Sequence, residues 1–196
     1  MQQFKSVNDP KLAKLINDGA VGVLPTDTIY GLVASAGNKS AVSKLYALKA
    51  RAHKPGTGIA SSTDQLVELG IPKRYLSAVE QYWPGPVSVE IPHDISYLNQ
   101  DTGRQAFRVV SDEAIKGLLE KTGPLVTSSA NDPGQPPAVN LKQAKDYFGD
   151  KVDFYVEGGD LSGRPPSTII RVIDDAVEVV RQGAVKIDED SGEIIS

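Results

Sequence analysis

The alternation of helical segments with apolar runs of strand length is the feature that most constrains this chain. Residues 8–10, NDP, predict the start of a helix with proline in its first turn, and Gly19 predicts its end. The apolar run AVGVL at 20–24 has the length of a strand and is followed by Pro25. Another helix is predicted from about residue 40 to about residue 51. This order favours an α/β domain.

The same patterns continue to the end of the chain. Further helices are predicted at 64–70, at 74–83, after a cap at Ser111, and from Asn140 to Gly149. Further strands are predicted at 87–91, 105–110, 124–129 and 153–157. The segments 167–173 and 176–181, separated by two aspartates, predict an antiparallel hairpin. The sheet is therefore expected to be mixed, with flanking helices.

Composition excludes several classes of protein. The chain has 196 residues and no cysteine, which excludes a disulfide scaffold and zinc sites built on cysteine. No apolar run is long enough to span a bilayer, and the first residues lack the apolar stretch of a signal peptide. We therefore expect a cytoplasmic protein without a membrane partner.

The C-terminal residues 188–196 carry four acidic side chains, and the whole chain has a net charge of −4. Without this segment the charges of the chain balance. We expect a domain over 1–187, followed by a solvated and loose acidic tail over 188–196.

Common nucleotide and hydrolase signatures are missing. The sequence contains no GxxxxGK[ST] and no GxSxG. The segment GTGIAS at 56–61 approaches a dinucleotide fingerprint, but it has serine in place of the third glycine and does not follow a predicted strand. Neither histidine, His53 or His93, lies in a recognisable catalytic triad context.

Small polar and basic residues instead collect at the ends of predicted elements. PTDTIYG at 25–31 presents Thr28 and its neighbours after a strand, where ligands of α/β sheets bind; a turn that bonds its own backbone is the alternative. Lys49 and Arg51, with Lys54 nearby, could converge on a polyphosphate. Cations at a helix C-terminus are also favoured by the helix dipole, which is the alternative there.

Two further segments carry candidate ligands. TSSAN at 127–131, with Ser129 and Asn131, offers hydroxyls and an amide after a strand, although a plain polar loop would look similar. Arg108 lies inside a predicted strand, where a cation needs a partner. A ligand carboxylate or phosphate and an ion pair with an acidic residue remain equal alternatives for Arg108.

Taken in order, these motifs resemble one family. PTDTIYGL, KAR, WPGPVS, FRV, SSAN, PSTIIR and VVRQG are similar to motifs of the YrdC/TsaC threonylcarbamoyl-AMP synthases over about residues 5–185. The resemblance implies a twisted mixed sheet around a basic concave cavity. It also implies a nucleotidyltransferase that converts L-threonine, bicarbonate or CO2, and ATP, with Mg2+, into threonylcarbamoyl-AMP and pyrophosphate.

The resemblance also implies roles for individual residues. Lys49, Arg51, Ser129 and Asn131 match the signature that lines the cavity, and the resemblance implies that they are catalytic. Together with Lys54 and Arg181 they are expected to bind ATP. Thr28, Arg108 and Ser167 match positions that hold threonine. The expected partner is a tRNA-modifying transferase complex of the TsaD, TsaB and TsaE type, which modifies adenosine-37 of tRNA.

The sequence departs from the family pattern near residue 52, where the loop is one residue shorter. The strand expected next is replaced by GTGIASS at 56–62, which is rich in glycine and forms strands poorly. The alternative function is a related protein that binds double-stranded RNA or ribosomal particles without synthase activity. A carbamoyl-adenylate synthase of the maturation-factor type ranks last, because such domains normally sit in longer chains with zinc fingers.

Overall fold

The computed structural model describes residues 1–50, 53–174 and 176–195. In these ranges the strands are β1 (Gln2–Phe4), β2 (Gly22–Pro25), β3 (Tyr30–Ser35), β4 (Thr57–Ala60), β5 (Val87–Pro92), β6 (Arg104–Val109), β7 (Leu125–Ser129), β8 (Phe154–Val156), β9 (Thr168–Ile173), β10 (Ala176–Arg181), β11 (Lys186–Ile187) and β12 (Ile194–Ile195). The helices are α1 (Pro10–Asn17), α2 (Lys39–Leu48), α3 (Thr63–Leu69), α4 (Lys73–Ser77), α5 (Ser96–Asn99), α6 (Glu113–Thr122) and α7 (Leu141–Phe148).

One mixed sheet of ten strands organises the chain, in the order β1-β8-β2-β3-β7-β4-β6-β5-β9-β10. The pairs β1/β8, β2/β8, β4/β6 and β5/β9 are parallel, and the other neighbours are antiparallel. The expected α/β class, with a mixed sheet and flanking helices, is confirmed. The hairpin of β9 and β10 is also confirmed, although Asp175 in its turn lies outside the described residues.

Helices cover both faces of this sheet. Side chains of β3 alternate, so that Leu32 packs with Leu45 of α2 while Val33 packs with Leu12 of α1. A third apolar cluster lies at the other end of the sheet, around Phe107 of β6 and Tyr82. Part of the face that α1 and α6 cover elsewhere is left open, and the cleft described below lies there.

Most helix starts follow from local side-chain capping. The carboxylate of Asp9 accepts a hydrogen bond from the Lys11 N–H, and the amide oxygens of Asn38 and Asn140 cap α2 and α7 in the same way. The prediction that Ser111 caps α6 is wrong. Asp112 does so, because its carboxylate accepts from the N–H groups of both Ala114 and Ile115.

Two other predictions need correction or addition. The single helix predicted over 74–83 is divided into α4 and a short 3-10 turn at Glu80–Tyr82, so that Leu76, Val79 and Tyr82 all reach the same apolar cluster. Strands β1 and β3 were not predicted, and β3 pairs with β2 across the loop that contains the TDT motif.

The glycine-rich segment at 56–62 forms a strand, contrary to the expectation from its composition. Strand β4 lies inside the sheet, parallel to β6 and antiparallel to β7. A Cβ atom at Gly58 would overlap the ring of Phe107. Glycine is therefore present because the Phe107 ring lies against this strand, and pairing on both sides compensates for its weak strand propensity.

The end of the chain is folded back, so the expectation of a loose tail is wrong for residues up to 195. Strands β11 and β12 pair antiparallel, and the Tyr82 hydroxyl donates to the Gly192 carbonyl at 2.7 Å. The Glu189 carboxylate accepts from the Val179 N–H of edge strand β10 at 2.8 Å. An edge strand has unpaired N–H groups, and the segment after Ile187 occupies one of them.

Among the described residues, none of the helices has both the length and the apolar character needed to cross a bilayer.

Candidate active site

A cleft of about 120 Å³ opens where β3, β4, β6 and β7 meet the loop before β9. Its lining consists mainly of hydroxyl groups, glycines and two arginines. The lining residues are Thr26, Thr28, Ile29, Gly31, Pro55, Gly56, Thr57, Arg108, Thr127, Ser128, Ser129, Pro166, Ser167, Ile169 and Arg181.

Sheet register explains why these residues meet. Gly31 lies opposite Ser129, Thr57 lies opposite Thr127, and the register of β4 places Ile59 beside Arg108. Residues two apart on a strand share a face, so Thr57, Thr127, Ser129 and Arg108 all project to the same side of the sheet. Distant segments of sequence are thus brought to one polar surface.

Arg108 forms a buried ion pair with Asp27. The arginine Nε donates to Asp27 Oδ2 at 2.9 Å, and Nη2 donates to Asp27 Oδ1. The two side chains are only 3% and 4% exposed. Of the two alternatives left open by the sequence, the ion pair is therefore present. Arg108 also lines the cleft, so the ion pair and a position in the cleft occur together.

A chain of hydrogen bonds links Arg108 to Arg181. Arg108 Nη1 lies 3.4 Å from Ser88 Oγ, and Ser88 Oγ donates to Ser167 Oγ at 3.0 Å. Arg181 Nη2 donates to the Ser167 carbonyl at 2.7 Å and lies 3.2 Å from its hydroxyl. Ser88 is fully buried, so it ties together the two arginines without itself lining the cleft.

The turn between β2 and β3 is held by its own threonines. Thr26 Oγ1 donates to the Ile29 carbonyl at 2.7 Å and accepts the Thr28 N–H at 3.3 Å. Thr28 Oγ1 lies 3.2 Å from Thr26 Oγ1 and 3.5 Å from Arg108 Nη2. Self-bonding of the turn and a position in the cleft, which the sequence presented as alternatives, therefore occur together.

Lys49 and Asn131 lie behind the cleft and hold the loop after β7. The Lys49 ammonium group, 2% exposed, donates to the carbonyls of Ser129 and Asn131 at 2.9 and 2.6 Å. It also donates to Asn131 Oδ1 at 2.9 Å, which in turn accepts from Ser129 Oγ at 2.6 Å. The lysine therefore fixes the position of Ser129, which does line the cleft.

The remaining predicted cations are placed differently. Lys54 has an exposed side chain outside the cleft lining, and its backbone N–H donates to Gln100 Oε1 at 2.7 Å. Arg51 lies outside the described residues. The structure thus brings Thr28, Arg108, Ser129, Ser167 and Arg181 into one cleft. Lys49 and Asn131 are outside its lining and are hydrogen-bonded to Ser129.

Gly56 forms a wall of the cleft that sequence reasoning missed. Its N–H donates to the Tyr46 hydroxyl at 3.2 Å, and its carbonyl accepts from Gln105 Nε2 at 2.7 Å. A Cβ atom at Gly56 would lie 2.6 Å from the Thr127 carbonyl oxygen. The available signal was the short run GTGIA at 56–60, small residues with one apolar isoleucine, in which Gly56 and Thr57 come first.

Tyr30 anchors the segment that leads to Pro166 and Ser167 on the other side of the cleft. Its hydroxyl donates to the Gly159 carbonyl at 3.0 Å and accepts the Gly158 N–H at 2.8 Å. Burial raises the pKa of Tyr30 above its ordinary value, against the opposing effect of the Gly158 N–H. The hydroxyl therefore stays protonated and continues to donate.

Within 1–50, 53–174 and 176–195, no group of three His, Cys, Asp or Glu side chains is placed to hold a metal ion. Mg2+ in nucleotide enzymes is commonly held by one or two carboxylates together with substrate phosphates. The Asp27 carboxylate is already paired with Arg108. The described residues therefore do not form a dedicated Mg2+ site.

A model of a known protein family matches most of this chain. The Sua5/YciO/YrdC family model, described as "Telomere recombination", matches residues 14–183. The chain belongs to the Sua5/YciO/YrdC family. The resemblance inferred from the ordered motifs is thereby confirmed.

Relatives in this family include named synthases. The threonylcarbamoyl-AMP synthase of Pseudomonas aeruginosa is 33% identical over 166 residues, which cover 81% of this chain and 89% of the relative. A putative threonylcarbamoyl-AMP synthase of Mycobacterium tuberculosis is 31% identical over 176 residues, covering 87% of this chain and 81% of the relative.

Solved structures of Sua5/YciO/YrdC proteins share the fold. A variant of P. abyssi Sua5 has a TM-score of 0.84 and 25% identity, and the match covers 99% of this chain but 65% of that one. P. abyssi Sua5 complexed with L-threonine has a TM-score of 0.80 at 23% identity, with 94% of this chain and 57% of that one covered. E. coli YciO has a TM-score of 0.77 at 22% identity, with 93% and 95% covered.

Proposed function

We propose that this protein is an L-threonylcarbamoyladenylate synthase, an enzyme of the transferase kind. The observation that carries the proposal is the hydroxyl-lined cleft with Arg108 and Arg181 bridged through Ser167. Relatives at 31–33% identity carry the name threonylcarbamoyl-AMP synthase. One Sua5 of the same fold has been solved with L-threonine.

In this proposal Arg108 binds the carboxylate of L-threonine. A guanidinium donates paired N–H groups to a carboxylate, and burial strengthens the interaction. Thr28 lies next to the same guanidinium, and Ser167 is connected to it through Ser88. The hydroxyls of Thr28 and Ser167 complete the amino-acid site. All three residues line the cleft.

In the same proposal the nucleotide contacts Arg181 and Ser129, which both line the cleft. Arg181 donates toward phosphate oxygens, and Ser129 presents its hydroxyl at the end of β7. Lys49 and Asn131 act on ATP mainly by holding Ser129 in place. Arg51 and Lys54, on the segment after α2, supply further positive charge to the polyphosphate.

The chemistry requires positioning and charge neutralisation. The threonine amine and bicarbonate form a carbamate with loss of water. A carbamate oxygen then attacks the α-phosphorus of ATP, which forms threonylcarbamoyl-AMP and releases pyrophosphate with its bonding electrons. Both reactants are anionic, so preorganised N–H and O–H donors lower the barrier by bringing them together. Mg2+ held by the ATP phosphates would add to this charge neutralisation.

The product serves tRNA modification. A cytoplasmic transferase complex of the TsaD, TsaB and TsaE type consumes threonylcarbamoyl-AMP to form N6-threonylcarbamoyladenosine at position 37. The proposal includes contact with tRNA only during transfer of the intermediate.

The test is pyrophosphate release from ATP with Mg2+, with and without L-threonine and bicarbonate. Release that depends on both co-substrates, and that serine or valine does not support, is expected. Folded protein that binds ATP but releases no pyrophosphate with threonine and bicarbonate contradicts the proposal. RNA binding that weakens steeply with salt would then favour the alternative function.

A further inference from the structure

The carboxylate of Asp27 has no role in the reaction proposed above, although it forms the buried partner of Arg108. Both of its oxygens accept hydrogen bonds from the guanidinium. Resting on the proposed function, we infer that Asp27 is a positioning residue that sets the affinity for the amino-acid carboxylate by fixing the orientation of Arg108.

The geometry divides the guanidinium into two edges. Asp27 occupies the edge formed by Nε and Nη2, and it is not among the described residues that line the cleft. The other contacts of Arg108 are long, at 3.4 Å to Ser88 Oγ and 3.5 Å to Thr28 Oγ1. Contacts of this length are weak, so the N–H groups on that side can be donated to a ligand.

The charges favour a preformed site. An unpaired arginine at this depth would be strongly destabilising, whereas the pair with Asp27 is neutral in the absence of substrate. A substrate carboxylate therefore meets a guanidinium whose side-chain freedom has already been lost on folding. Binding then requires little further ordering, and affinity is higher than for a freely rotating arginine.

The sequence around Asp27 supports the same division of roles. Thr26 and Thr28 line the cleft on either side of it, and the Thr26 hydroxyl closes the turn onto Ile29. The turn therefore places two hydroxyls in the cleft lining, while the carboxylate between them accepts from Nε and Nη2 of Arg108. The motif TDT is explained as one unit that includes the arginine.

The experiment compares Asp27→Asn with Glu90→Gln in the pyrophosphate-release assay. Glu90 pairs with Arg171 at 2.7 Å, so its substitution removes a carboxylate partner of an arginine in the same sheet but outside the cleft lining. For Asp27→Asn we expect the KM for threonine to rise about tenfold or more, with kcat and the KM for ATP changed by less than about twofold. For Glu90→Gln all three parameters are expected to stay unchanged.

Asp27→Glu keeps the charge but moves the carboxylate. If Asp27→Asn does not fold, this variant tests whether Asp27 sets the affinity for threonine. Its threonine KM is expected to rise severalfold, because the guanidinium is displaced. Suppose that pyrophosphate release by the wild type depends on threonine, but the folded Asp27 variant has the wild-type KM for threonine. That result overturns this inference and leaves the proposed function standing. A wild type without threonine-dependent release overturns the proposed function and this inference with it.

Discussion

The Lys49 ammonium group donates a hydrogen bond to the Asn131 carbonyl at 2.6 Å and another to the side-chain oxygen of the same residue at 2.9 Å. The C-terminal end of α2 is thereby fastened to the loop after β7. A cation that the sequence predicts to contact ATP is in this structure a support for the loop that carries Ser129. Lys49 therefore contributes to folding and to the cleft together.

Replacement of Lys49 is expected to affect activity and stability together. Lys49→Ala removes the ammonium donor from the Ser129 carbonyl, the Asn131 carbonyl and Asn131 Oδ1. We expect a loss of about 2–4 kcal/mol in the free energy of unfolding, and pyrophosphate release lower by about a hundredfold. Urea denaturation and the release assay measure the two effects.

Lys44→Ala is the matched control for Lys49. Lys44 lies on the same helix and pairs with Asp153, but its side chain is 43% exposed. Exposed ion pairs contribute little, so both measurements should stay close to wild type. If Lys49→Ala lowered neither quantity more than Lys44→Ala, the supporting role of Lys49 would be wrong.

Arg181→Ala tests the nucleotide side of the cleft. Loss of its charge is expected to lower kcat/KM for ATP about 10–100-fold, more than it lowers kcat/KM for threonine. Arg171→Ala, in the same hairpin but outside the cleft lining, is expected to leave both unchanged. If the two substitutions lowered kcat/KM for ATP equally, the placement of the nucleotide beside Arg181 would be contradicted.

His93 is expected to make the free energy of unfolding fall as the pH drops below about 6.5. Burial lowers its pKa below the ordinary 6.5, against the opposing effects of Gln105 and Asp94. As the pH falls, the unfolded chain is protonated first, so stability is complete above pH 6.5 and declines toward the folded-state pKa. Carboxylates titrate at lower pH, which isolates the histidine in this window.

The measurement for His93 is the urea midpoint of wild type at several pH values in that window. His93→Asn should flatten the profile. His53→Asn is the control, because His53 is the other histidine of the chain and is exposed. A slope that survives in His93→Asn, or that disappears in His53→Asn, would assign the pH dependence to another group.

Two glycines should respond to alanine with opposite signs. A Cβ atom at Gly58 overlaps the Phe107 ring, whereas one at Gly117, inside α6, meets nothing within 4 Å. Gly58→Ala is expected to lower the free energy of unfolding by about 1–3 kcal/mol, because the added methyl group overpacks the site. Gly117→Ala should add about 0.5–1 kcal/mol through helix propensity. Thermal unfolding of the two variants measures both; stabilisation by Gly58→Ala would contradict the packing described for β4.

Much of the fold was predictable from the sequence because its main signals are local. Apolar periodicity and caps such as Asn140 act within one turn or strand. They identified α1, α2, α7 and the hairpin of β9 and β10. Strand β4 was not predictable in this way. Its stability depends on Phe107, which lies 49 positions away from Gly58, and composition alone suggests a loop.

The candidate site shows the same limit. Thr28, Ser129 and Arg181 could be selected because hydroxyls and cations follow predicted strands or end them. The partner of Arg108 could not be selected, because Asp27 is 81 positions away and an acidic residue in a threonine-rich turn has an adequate local explanation. The supporting role of Lys49 is equally non-local, since its acceptors lie on a different element.

The folded C-terminal segment provides the last prediction. A chain ending at Ile187 loses the carbonyl that accepts from the Tyr82 hydroxyl, and it loses the carboxylate that caps the β10 edge at Val179. We expect its free energy of unfolding to be lower by about 1–3 kcal/mol. Pyrophosphate release should be retained, because none of the described residues after 187 lines the cleft. Tyr82→Phe in the full chain isolates the first of these contacts and should lower the free energy of unfolding by about 1 kcal/mol. If the shortened chain had the wild-type urea midpoint, the contacts after Ile187 would contribute nothing and the tail would behave as the loose end its composition suggests.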